Sequence, residues 1–106
     1  MGHYRMIVLA NAKEGREEEY NDWYTNQHLG DVVAVPGVVS GQRFQSIGKG
    51  GHKFLAIYEL ETEDPRAVLK EIGARMGTDA MPTTESGERE TMILGTFEPI
   101  TDKLTK

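Results

Sequence analysis

The sequence contains no cysteine. A disulfide framework, a thiolate metal site, an iron–sulfur cluster and a thiol nucleophile are therefore all excluded. Positive charge is also in deficit: 12 Lys and Arg stand against 17 Asp and Glu, for a net charge of −5. That balance is a poor footprint for nucleic acid or an anionic membrane, and neither is expected as a partner. No apolar run approaches the ~20 residues that cross a bilayer. The opening stretch, MGHYRMIVLANAK, lacks a signal-type apolar segment of useful length and a small-residue cleavage site, so a cytoplasmic location is expected. The three histidines, His3, His28 and His52, form no HxH or HExxH pattern, and no metal site is expected. Gly48, Gly50 and Gly51 precede no helix, the Walker pattern is missing, and there is no dinucleotide fingerprint. No nucleophile triad supports a hydrolase.

What is present suits one small domain spanning residues 1–106. Hydrophobic residues make up 38% of the chain, ordinary for a globular protein once glycine is added. The apolar run Tyr4–Ala10 predicts a first strand. Arg16–Gly30 reads as a helix, with Glu17, Glu18 and Glu19 at its positive end and an aromatic stripe of Tyr20, Trp23 and Tyr24. Asp31–Val35 is compatible with one more helical turn before Pro36-Gly37 stops it. Val38–Ile47 and Lys53–Glu61 read as strands joined in a hairpin through Gly48-Lys49-Gly50-Gly51. Asp64-Pro65 opens a second helix, with Val68, Leu69, Ile72 and Met76 on its apolar face and Gly77 as its stop. Thr78–Glu90, polar and holding Pro82 and Gly87, reads as a mobile surface loop, and Thr91–Phe97 as the last strand.

The order β-α-β-β-α-β predicts an α+β, ferredoxin-like domain: a four-stranded antiparallel sheet with two helices on one face. Such a sheet should alternate apolar with polar residues. Here both faces are apolar: Phe54, Ala56 and Tyr58 oppose Leu55 and Ile57, and Tyr4, Met6 and Val8 oppose Ile7 and Leu9. Two helices cover only one face. A second copy of the sheet is the simplest cover for the other, giving a homodimer; an open face that takes a small ligand or another protein is the alternative.

The stretch Glu19-Tyr20-Asn21-Asp22-Trp23-Tyr24-Thr25-Asn26-Gln27-His28 leads into Asp31-Val32-Val33, Pro36-Gly37-Val38 and Arg43-Phe44. This pattern resembles the EthD-like branch of the dimeric α+β barrel superfamily, over roughly residues 4 to 60. The resemblance implies a homodimer in which two sheets meet face to face. It also implies the chemistry of that superfamily: cofactorless oxygenation of phenols, lactone isomerisation, cyclisation, decarboxylation or haem degradation. Fold analogy does not choose among these.

His28 is the sharpest candidate for chemistry, because imidazole exchanges a proton near neutral pH. It lies four and eight residues after Tyr24 and Tyr20, and the family's histidine falls at the same place in the motif. It reads either as a general acid/base or as a helix-end residue satisfied by a carbonyl or the helix dipole. Tyr24 carries a hydroxyl able to donate to a substrate carbonyl. Trp23 and Tyr20 read first as core, and Trp23, Tyr58 and Phe54 as shaping an apolar pocket. Strand parity puts Phe44 under the helices and Arg43 on the opposite face, where it meets a partner subunit, solvent or an anionic oxygen. Asp31 is a natural partner for His28 or Arg43. The reading reached is a cofactor-independent enzyme acting on a phenolic, quinonoid, lactone or β-keto compound. His28 serves as acid/base, Tyr24 as donor and Arg43 as anchor, with haem held through His28 as the alternative cofactor reading. A non-catalytic dimer that binds an apolar or aromatic small molecule, or a stress-response protein, is the rival.

Overall fold

Backbone hydrogen bonds pair the four predicted strands into one antiparallel sheet, in a computed structural model that describes residues 2–106. Strand β1 (Gly2–Ala12) is followed by α1 (Glu17–Trp23), a π-helical turn (Tyr24–His28) and α2 (Leu29–Val33), which run on as one helical rod. Then come β2 (Val38–Gln45), β3 (Phe54–Thr62), α3 (Pro65–Arg75) and β4 (Gly87–Phe97). The sheet order is β2-β3-β1-β4, the ferredoxin-like arrangement. No helix among the described residues is long and apolar enough to cross a membrane.

Local chemistry sets the element ends. Asp64 caps α3 by accepting hydrogen bonds from the backbone N–H groups of Arg66 at 3.1 Å and Ala67 at 3.4 Å, with Pro65 at the first helical position. The first rod passes through Gly30 without ending there; it stops ahead of Pro36-Gly37. Gly37 holds φ at 97°, and a β-carbon there would lie 2.6 Å from Val68, so the turn into β2 requires glycine.

The core lies between the helices and one sheet face. Phe54, Ala56, Tyr58 and Leu60 of β3, with Met6 and Ala10 of β1, are buried against Tyr20, Tyr24, Val32, Val68 and Ile72. On β2 the expected parity is reversed. Val38 pairs with Leu60 on the core side, but the register slips between Val38 and Ser40, so that Gly41 faces Tyr58 and Arg43 faces Ala56. This bulge inserts one residue and turns every later side chain over. Arg43 therefore sits under the helices, and Phe44 is on the outer face, 40% exposed. Gly41 is where the bulged strand crosses Tyr58, whose ring would come within 2.8 Å of an added β-carbon.

The segment Thr78–Glu90, expected as a mobile loop, is tied down. Met81 and Ser86 are fully buried, and the Lys13 N–H donates to the Ser86 carbonyl at 2.7 Å. Its last residues belong to β4, where Gly87 and Glu88 pair with Ala12 and Asn11. Across the outer face, Ile93, Leu9, Leu55 and Phe44 form one apolar row through all four strands, beside Ile7 and Ile57. Ile93 is 53% exposed and Phe97 is 56% exposed. Both sheet faces are apolar, and the helices occupy only one.

Candidate functional site

Between the helices and the inner face of β1 and β4 lies a cavity of about 550 Å³, within the range of small-molecule sites. Its inner wall is aromatic: Tyr20, Trp23, Tyr24, His28 and Tyr58. Met6, Val8, Met92 and Leu94 form the sheet side, with Leu69, Ile72 and Met76 contributed by or next to α3. The polar part of the rim comes from Thr83, Thr84, Glu88 and Arg89. The lining is apolar apart from that rim, Asn11 and the polar atoms of the aromatic wall.

The π-helical turn builds the chemical centre of this wall. Its signature is the Leu29 N–H donating to the Tyr24 carbonyl five residues back. In an α-helix, five residues overshoot a full turn by about 140°, so Trp23 and His28 would point apart. The wider turn brings them into register: their rings stack at 4.5 Å with an interplanar angle of 17°. Tyr24 meets the same imidazole edge-on at 4.8 Å. The Trp23 indole N–H donates to the Pro82 carbonyl at 3.1 Å, which fixes the stacking plane from the 78–90 segment.

His28 is 7% exposed, and its Nδ1 is buried without a hydrogen-bond partner. It is not a helix-end residue, because the rod continues through α2. The Asp31 carboxylate, expected beside His28 or Arg43, instead accepts a hydrogen bond from the Gln27 amide at 2.7 Å. Burial pushes the His28 pKa below its ordinary value, and the charge of Asp31 opposes this only in part. The imidazole is therefore neutral at pH 7.

Folding then lowers the proton affinity of His28 relative to the unfolded chain. Between the folded and unfolded pKa values the unfolded state binds more protons, so stability rises with pH in that window. The contribution is fully present above about 6.5, the unperturbed value, and is lost as pH falls below it. Denaturant unfolding of the wild type and of His28→Gln at pH 7.5 and pH 5 checks this: the wild type is expected to lose more stability than the variant. Parallel pH dependences would show that His28 titrates alike in both states.

The Tyr24 and Tyr58 hydroxyls are 2.7 Å apart and buried. Burial raises the Tyr24 pKa to about 12 and pushes that of Tyr58 up further. Both are neutral phenols at ordinary pH. Arg43 and Phe54 are not on the cavity wall. The Arg43 guanidinium lies 4.7 Å from the Tyr24 ring centroid and 5.4 Å from that of Phe54, and it donates to the Thr25 hydroxyl at 2.9 Å. It thus contacts the aromatic wall through a ring face, a favourable place for a cation.

The structure brings together four of the six site candidates, His28, Tyr24, Trp23 and Tyr58, and leaves Arg43 and Phe54 behind the wall. Met6, Val8, Met92 and Leu94 were not recognised as lining residues. The parity of β1 carries that signal for Met6 and Val8, since both share a face with Tyr4. The rim residues Thr84 and Arg89 have no comparable signature. Among the described residues, no three His, Asp or Glu side chains converge as a metal site would require.

No family model matches the chain, and no curated protein matches it. Solved structures do. A candidate monooxygenase from Shewanella loihica PV-4 superposes with a TM-score of 0.68 at 16% identity, over 94% of this chain and 96% of that one. The haem degrader MhuD from Mycobacterium tuberculosis, with two haems bound in its active site, gives 0.65 at 16% identity, over 94% and 98%. An ethyl tert-butyl ether D (EthD) family protein from Bacillus halodurans C-125 gives 0.55 at 11% identity, over 94% and 100%. The chain shares the fold of these proteins, and the likeness to EthD proteins holds at that level.

Proposed function

We propose that this chain is a small, cofactor-independent enzyme whose cavity holds a phenolic, quinonoid, lactone or β-keto compound, with His28 as its general acid/base. One observation carries the reading: an imidazole only 7% exposed, held by stacking on Trp23, on the wall of an apolar cavity. The candidate substrates carry acidic O–H or C–H protons, so one base and one donor for the developing oxyanion suffice. His28 takes the proton, Trp23 holds the ring plane, and Tyr24 supplies the donor, backed by Tyr58. The Arg43 cation supports the Tyr24 ring. Phe54, expected at the pocket, packs behind it.

The fold neighbours support small-molecule chemistry in this architecture, since two of them are described as a candidate monooxygenase and a haem degrader. A haem reading finds less support in the residues. A haem-ligating histidine ordinarily donates its second nitrogen to a carbonyl or carboxylate, and Nδ1 of His28 has no partner. Arg89 is the one Arg or Lys among the cavity's lining residues to meet two propionates. The working unit we propose is a cytoplasmic homodimer built on the outer apolar face. Binding without turnover is the rival, favoured by the largely apolar lining.

Trp23, the sole tryptophan, lies on the cavity wall and reports occupancy. A screen of phenols, quinones, lactones and β-keto compounds by its fluorescence, followed by product analysis of the binders, separates the readings. Turnover that depends on His28 supports the enzyme. Binding with no product from any binder leaves a sequestering protein.

A further inference from the structure

We infer that the Tyr24–Tyr58 pair is a single hydrogen-bond-donating anchor for a carbonyl-type oxygen on the cavity's ligand, which narrows the ligand to a mostly apolar compound bearing an unprotonated acceptor. This inference rests on the cavity being the ligand site, as proposed above. The argument is a count of protons. A phenol hydroxyl carries one hydrogen and two acceptor positions. Two hydroxyls 2.7 Å apart share one hydrogen between them. The second hydrogen belongs to whichever tyrosine is the acceptor of that bond. Among the described residues no other protein group hydrogen-bonds to either hydroxyl. Both side chains are buried and both line the cavity. Tyr58 has no exposed surface and Tyr24 keeps 4%, so the spare O–H reaches the apolar wall when Tyr58 donates the shared hydrogen and Tyr24 accepts it.

Neither tyrosine serves as a base at ordinary pH, because burial holds both protonated. The pair is a donor and stays one. It is also a stronger donor than a lone phenol, since the hydroxyl that accepts the shared hydrogen is polarised to give up its own. The cation over the Tyr24 ring acts in the same direction by favouring negative charge at that phenol. An oxygen that only accepts, such as a quinone, lactone or keto carbonyl, satisfies this donor. A hydrocarbon of the same shape leaves it unpaired, and a site built around a hydrogen bond discriminates against a ligand that lacks the partner.

The test uses the full chain and a matched pair of probes, 1-tetralone and tetralin, which differ in one carbonyl. Binding is read by Trp23 fluorescence, and the carbonyl stretch of bound 1-tetralone by infrared difference spectroscopy. The wild type is expected to hold 1-tetralone about 3- to 10-fold tighter than tetralin, the span of one neutral hydrogen bond, with the carbonyl band shifted to lower frequency. The double variant Tyr24→Phe/Tyr58→Phe removes both partners and keeps the shape, so it is expected to fold with near wild-type stability. It should bind the two probes alike and show no band shift. Equal affinity for both probes in the wild type, or an unchanged band shift in the double variant, overturns the anchor while leaving the cavity reading intact. Failure of both probes to bind overturns the anchor together with the cavity as a ligand site. If the double variant is unfolded, the wild-type affinity ratio and band position decide alone.

Discussion

Replacing His28 by glutamine is expected to lower turnover of a true substrate by roughly 10²–10⁴-fold, the span of one general acid/base, while the protein stays folded. Glutamine approximates the volume of imidazole and retains an amide able to hydrogen-bond, but it has no proton to exchange. The π-helical turn sets the ring against Trp23 on the cavity wall.

The pH profile gives an independent handle on the same group. Since burial lowers its pKa, the basic form of His28 is expected to persist to lower pH than in a solvated histidine. The acid limb of kcat/KM should then fall at a pH under 6.5, the unperturbed value, and should disappear in His28→Gln. A Gln variant that turns over the substrate at the wild-type rate would remove His28 from the mechanism. The acid limb, if it survived in that variant, would belong to another group.

The sheet, the helices and their order were legible because periodicity reports burial. β3 shows this most directly: Phe54, Ala56, Tyr58 and Leu60 alternate with Leu55, Ile57, Glu59 and Glu61, and the first set is the core. Three features escaped for one shared reason, that they depend on pairing or on backbone hydrogen bonds which leave no apolar pattern. The bulge after Val38 adds one residue against β3 and so turned Arg43 inward and Phe44 outward. The start of β4 at Gly87 is polar, yet its backbone pairs with Asn11 and Ala12. The π-helical turn changes the relation of Trp23 to His28 without any change in residue type. The motif placed His28 on a shared face with Tyr20 and Tyr24. Its stacking partner in the fold is Trp23, and its pocket extends to Met92 and Leu94 on β4.

The outer face yields the other large effect: Ile57→Glu is expected to convert a homodimer into a folded monomer. Ile57 pairs with Ile7 on one side and Gln42 on the other, in the middle of the outer face, next to the row Ile93–Leu9–Leu55–Phe44. An antiparallel sheet with water on that side would carry polar residues there. A contiguous apolar patch rimmed by charge instead marks an interaction surface, and the rim is present: Arg5 pairs with Glu59 at 3.9 Å and His3 with Glu61 at 3.3 Å. A twofold dimer presents the same patch from both subunits, so each substitution counts twice. An unpaired carboxylate buried in an apolar interface costs several kcal/mol, and each ~1.4 kcal/mol is tenfold in affinity. The dissociation constant is therefore expected to rise by roughly 10³-fold or more. Ala56→Glu, one residue away but facing the helices, is expected to unfold the chain instead. Sedimentation equilibrium at micromolar concentration reads the outcome against the 11.8 kDa subunit mass, and circular dichroism reads the fold. A wild type that sediments as a monomer, or an Ile57→Glu variant that stays dimeric, would mean that the outer face is not what joins two copies.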